Sequence, residues 1–193
     1  MNPVERVKAI LFAPKTEWAK IAVEPATVQS VYTGWVMILG AIGPLMVLLS
    51  SLMFTILGPV FGIRWAIGMY VMTLITVAVV ALVADLLAPS FGGTKDYLRS
   101  LKLVAYSFTA VWVAEFALIV PLLGGIVVLI GAVYAFYLFF IGAPVLGRCS
   151  VERAAPYTIV VVLGTIVLMF VIRAILYGVM YTPGVPGPLG ALG

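Results

Sequence analysis

Five stretches of the chain are long and apolar enough to cross hydrocarbon, which leaves a water-soluble fold almost no polar residues for its surface. A bilayer core ~30 Å thick takes a helix of roughly 20 apolar residues. The stretches run from about Val31 to Leu57, Trp65 to Ala88, Leu103 to Val120, Leu122 to Leu146 and Tyr157 to Met180. Pro121 and Gly124-Gly125 make the tight turn between the third and the fourth. Backbone groups in lipid must be satisfied within the segment, so helices are expected. The strands of a membrane barrel would alternate polar and apolar residues, and these stretches do not. With 64% hydrophobic and 9% charged residues, lipid is the main solvent.

The expected fold is all-α, a polytopic bundle of five transmembrane helices preceded by an amphipathic interfacial helix. Residues 1–29 form the interfacial segment, residues 30–181 the transmembrane domain, and residues 182–193 a disordered tail rich in Gly and Pro. The first apolar run, Ile10-Leu11-Phe12, is too short for the core of a cleaved signal peptide. Val4, Val7 and Leu11 share one helical face, with Glu5, Arg6 and Lys8 off it. Pro14 interrupts, and Thr16 is placed to cap a second short turn that carries Trp18 and Ile21. A surface helix anchored by Trp18 and drawn to anionic lipid by its lysines is the preferred expectation. The alternative is a helix packed on the ends of the bundle.

Cations set the orientation. Arg6, Lys8, Lys15 and Lys20 precede the first span, Lys95, Arg99 and Lys102 lie between the second and third, and Arg148 and Arg153 between the fourth and fifth. Nine of the eleven cations therefore share one side, and Arg64 faces the other. The positive-inside rule puts the N-terminus and both basic loops in the cytoplasm and, with five spans, the C-terminus outside. Each span leaving the cytoplasm opens on Tyr and a hydroxyl residue: Tyr32-Thr33, Tyr106-Ser107 and Tyr157-Thr158. Anchoring at the headgroup level is their first expectation, a shared binding surface the second.

Charges within spans are costly unless paired or hydrated. Glu115 lies ~18 Å and Arg173 ~24 Å from the cytoplasmic boundary at 1.5 Å per residue, a gap that an arginine side chain closes. Tyr70 and Thr73 fall at similar depth on one face of the second helix. A polar cluster centred on a Glu115–Arg173 pair follows. It is a tether between two helices or a solute or proton site, unless Arg173 snorkels outward unpaired. Asp85, near the cytoplasmic end of the second span, is expected to pair with Lys95 or Arg99. Gly92-Gly93 reads as a turn, with anion binding by its amides the weaker option. Gly131 with Ala135, and Gly40 with Gly43-Pro44, mark close helix contacts.

Catalytic chemistry has little to work with. The chain has no histidine and one cysteine, Cys149, so it offers neither a disulfide nor a thiolate–imidazole metal cage. No G-x-S-x-G elbow and no H-E-x-x-H is present, and Asp96 lacks the Gly-Asp context of an intramembrane aspartyl site. No enzyme activity, cofactor or metal is expected.

In order and spacing, several motifs stand together. They are Arg6-Val7-Lys8, Pro14-Lys15-Thr16-Glu17-Trp18, Glu24-Pro25 and Tyr32-Thr33-Gly34, then Phe91-Gly92-Gly93 and Leu101-Lys102-Leu103-Val104-Ala105-Tyr106-Ser107. Pro121, Gly124, Tyr134, Tyr137, Gly142-Ala143-Pro144-Val145-Leu146 and Ala155-Pro156-Tyr157-Thr158 follow. In these the chain resembles the bacterial branch of the Yip family, multi-pass membrane proteins named for interaction with Ypt/Rab GTPases. The resemblance implies five spans with the N-terminus inside and the C-terminus outside. Eukaryotic relatives are implicated in vesicle trafficking and bind Rab GTPases and one another. Rab binding does not carry over, because the segment before the first span is short. Ala110 stands where the family pattern leads one to expect proline, so no kink in the third helix is implied.

The leading expectation is a non-enzymatic scaffold of the bacterial inner membrane. Its working surface is the cytoplasmic face, with Asp85, Phe91, Gly92, Gly93, Lys95, Arg99, Lys102 and Tyr106 in the central loop motif. Its partners are the bilayer, anionic lipid headgroups and a membrane protein or a second copy of the chain, with no role for nucleic acid. The competing expectation is a transporter of a small solute, ion or lipid through the Glu115–Arg173 cluster.

Overall fold

A computed structural model describes residues 2–54, 58–120 and 122–180, and the side chains of 54, 58–61, 169 and 171–180 lie outside that description. Pro121, the tail 182–193 and the side chain of Arg173 are therefore not described. Two short helices open the chain, α1 (Pro3–Phe12) and α2 (Pro14–Val23). Five apolar spans follow: α3 (Val28–Met53), α4 (Gly62–Phe91), α5 (Tyr97–Ile119), α6 (Leu123–Val145) and α7, whose helix runs Ala154–Met180. The fold is all-helical among the described residues, apart from one isolated backbone bridge between Gly92 and Cys149.

Two spans are discontinuous. α3 passes through a π-helical turn at Tyr32–Val36, breaks at Gly40-Ala41 and resumes as Ile42–Phe54. α5 breaks at Phe108 and tightens into a 3-10 turn at Glu115–Ile119. Proline is not the cause of the second break, which the sequence did not imply. Thr109 Oγ1 approaches the Ala105 carbonyl at 3.5 Å and accepts from Trp35 Nε1 at 3.1 Å. A threonine turned back onto its own helix competes with the backbone ladder and bends it. α5 also starts earlier than expected, at Tyr97, because Asp96 caps it by accepting from the Arg99 N–H at 3.1 Å.

α3 packs on α4 and on the end of α5, α5 packs on α4 and α6, and α7 lies against α4 and α6. Small residues permit the closest approaches. A Cβ at Gly131 would strike Ala114 and the Ala110 carbonyl.

α1 and α2 pack on the bundle. They fold back on each other and dock against α5 and α6. Trp18, expected as an interfacial anchor, is fully buried, as are Ile10 and Ile21. The indole sits on Gly142, where any side chain would collide with it. The Tyr134 hydroxyl donates to the Leu11 carbonyl at 2.6 Å, satisfying a carbonyl of the last turn of α1. Tyr134 precedes Gly142 by eight residues of α6, a drop of about 12 Å along the axis. The turn between α1 and α2 therefore reaches well past the level of Trp18, alongside the middle of α6. The pair is a helical hairpin packed on the bundle.

Candidate functional site

Three polar assemblies lie inside the bundle. The first closes the hairpin. Arg6 lies 3.2 Å from the Glu17 carboxylate and donates to Glu24 Oε2, and Glu17 is fully buried. Lys20 donates to the other Glu17 oxygen at 2.9 Å. Lys102 reaches over from α5 to the carbonyls of Ile21 and Glu24, ending α2 with a cation where the last carbonyls are unpaired. The Arg6 guanidinium also lies 5.9 Å from the centre of the Tyr106 ring, which packs between Trp18 and Trp35.

The second assembly ties the two basic loops together. Asp85 accepts from the Asp96 N–H at 2.7 Å and from the Ser100 hydroxyl at 3.5 Å, and it lies 3.4 Å from the Arg148 guanidinium. Arg148 is fully buried and also donates to the Asp96 carbonyl at 3.1 Å. Burial pulls the pKa of its guanidinium below the ordinary value, opposed by Asp96 first and then by Tyr157 and Asp85. Gly93 lets the loops meet, since a Cβ there would strike the Arg148 carbonyl. Gly92 and Gly147 supply the left-handed turns, at φ +86° and +68°. Beside them Cys149 is buried, which pushes its thiol up to about 11. At pH 7.5 little thiolate forms, so maleimide should leave the folded protein unlabelled. Labelling should rise only as the pH approaches that value or on unfolding, and rapid modification of folded protein at pH 7.5 would contradict the burial.

The third assembly is a cavity of about 810 Å³ between α4, α5 and α7. It exists because the C-terminal end of α5 packs on α3 and α6 while α7 leans on α4 and α6. Glu115 lines it and is 7% exposed. Its carboxylate lies directly on Gly43, in the first turn of the resumed half of α3, where a Cβ would collide with it. Spare N–H groups in the first turn of a helix make that position tolerable for a carboxylate in hydrocarbon. Glu115 Oε2 makes no hydrogen bond of ordinary geometry among the described residues, and the Gly43 backbone is the polar group that approaches the carboxylate.

With this geometry in view, the Yip1 domain family model matches residues 8–188, nearly the whole chain. The chain belongs to the Yip1 domain family. No curated protein and no solved structure matches it significantly.

This Yip1-family chain rearranges several of the expected site residues. Asp85 pairs with Arg148, not with Lys95 or Arg99. Lys95 is exposed, and Arg99 forms its ion pair with Asp96 at 3.3 Å. Lys102 is buried and serves α2, so it does not face lipid. The Gly92 and Gly93 amides are committed to the Pro89 and Ala88 carbonyls, which leaves no anion nest. Phe91 packs its ring 5.5 Å from that of Tyr157. Thr73 lines the Glu115 cavity, but Tyr70 is turned toward α3 and donates to the Met37 carbonyl at 3.1 Å. Two of the three tyrosines expected at the headgroup level tie helices together. Tyr157 is fully buried and donates to the Ala84 carbonyl at 2.7 Å, and Tyr32 donates to Leu74 at 3.2 Å. Sequence reading missed Arg148 as a core residue and the cavity lining from Trp65, Met72 and Phe108. Neither carries a motif.

Proposed function

We propose that this protein is a non-enzymatic organiser of the bacterial inner membrane that loads one leaflet asymmetrically through its α1–α2 hairpin. The Tyr134–Leu11 hydrogen bond carries the reading. It seats the end of α1 against Tyr134, eight residues along α6 from Gly142, and so toward the middle of a span. Phe12 at the tip is 85% exposed, which suits lipid and not water. The positive-inside rule puts the hairpin on the cytoplasmic side with the basic loops. Arg6, Lys102 and Arg148 are used internally and Lys20 pairs with Glu17, so Lys8 and Lys95 are among the cations left to meet anionic headgroups or a partner.

Transport draws support from the Glu115 cavity. The buried Trp35, Thr109 and Trp112 beside that cavity favour a pocket over a path through the bundle.

The test places a spin label at Phe12→Cys, with the native Cys149 silent, in anionic liposomes. Oxygen should relax the label far more than a water-soluble nickel reagent does. Greater exposure to nickel than to oxygen would rule out the inserted hairpin. Giant vesicles carrying the wild-type protein should deform more than those carrying Phe12→Asp, whose tip cannot remain in hydrocarbon.

A further inference from the structure

We propose that the Glu115 cavity is a binding site for amphiphilic organic cations, a role beyond the leaflet-organising one. Three observations meet there. The cavity, at about 810 Å³, falls within the range of roughly 300–1,000 Å³ that holds small organic ligands. A carboxylate that is 93% buried lines it, with one oxygen that makes no hydrogen bond of ordinary geometry among the described residues. The wall is aromatic and thioether, with Trp65, Trp112, Phe108 and Met72. Aromatic faces attract cations electrostatically, and methionine adapts to ligands of varied shape.

Charge decides the ligand class. The Glu115 carboxylate repels an anion and gains nothing from a neutral amphiphile, whereas a cation with an apolar skirt engages carboxylate and wall together. A small hydrated metal ion fits poorly, because the described residues hold no group of three or more acidic, cysteine or histidine side chains that could replace its water. Arg64 also lines the cavity and is exposed. It opposes a cation at its own end, so the charged centre of the ligand belongs at the Glu115 end. Gly68 lines the wall with nothing within 4 Å of where its Cβ would sit, so a larger side chain there would enter the cavity without striking its neighbours.

Tetraphenylphosphonium and tetraphenylborate are matched in size and shape and opposite in charge, which isolates the electrostatic claim. Binding of each is measured by equilibrium dialysis to full-length protein in nanodiscs, with empty nanodiscs subtracted. The phosphonium should bind saturably to the wild type and about tenfold or more weakly to Glu115→Gln, which keeps the shape of the side chain. Gly68→Leu leaves the carboxylate intact and should weaken binding by filling the space, so the claim stays testable if Glu115→Gln misfolds. The borate should show no saturable component. Equal binding of the two ions, or phosphonium binding unchanged in both variants, would overturn the proposal. Neither outcome bears on the hairpin, which is read by the label at position 12.

Discussion

Replacing Arg148 with methionine should destabilise the folded protein by about 3–5 kcal/mol, the usual consequence of removing one partner of a buried ion pair. The size follows from what is left behind. Asp85 keeps the Asp96 N–H and the Ser100 hydroxyl but loses its cation, while its side chain remains largely buried. Asp85→Asn should be comparably harmful in the opposite sense. It keeps an acceptor for the Asp96 amide but strands a guanidinium that is fully buried, with Nη2 already unpartnered. The double variant Asp85→Asn/Arg148→Met should recover part of the loss, since two neutral groups need no ion pairing. Unfolding of the reconstituted protein with an SDS titration measures all four corners of the cycle. Strictly additive single effects would mean that Asp85 and Arg148 are not coupled.

The same pair marks where sequence reading stopped. Five apolar runs identify the spans because hydrocarbon tolerates so few alternatives, and the asymmetry of cations marks one face. Span ends were less legible. α5 begins at Tyr97 and not at Leu103, because cations that read as loop residues are absorbed by contacts distant in sequence. Lys102 binds carbonyls 81 and 78 residues earlier, and Arg148 meets Asp85 across 63 residues. A local pattern cannot hold that information. Trp18 illustrates the ambiguity from the other direction. A tryptophan beside lysines is an equally good interfacial anchor or core residue, and Gly142, far along the chain, makes it core by leaving room for the indole. Glu115 stood out as a charge within a span, and it is buried there. The cavity beside it is a gap between α4, α5 and α7, set by how two other helices lean, and no residue pattern spells out empty space.

Arg6→Met should release the hairpin more readily than Trp18→Ala does, although tryptophan is the larger residue and fully buried. In a water-soluble core, truncating such a tryptophan costs about 3–5 kcal/mol. Here lipid tails can replace much of the lost apolar contact, because a bilayer is as apolar as leucine. Charge has no such substitute. Without Arg6, the fully buried Glu17 keeps only Lys20, whose side chain is 62% exposed, and Glu24 loses its guanidinium. That partial compensation sets the expected cost at about 2–3 kcal/mol, below that of an ion left wholly unpaired. Amide hydrogen exchange over residues 3–23 reads the outcome directly. Exchange should accelerate in both variants and further in Arg6→Met, with α6 and α7 unchanged. The opposite ranking would mean that apolar packing, not the buried charge network, holds the hairpin on the bundle.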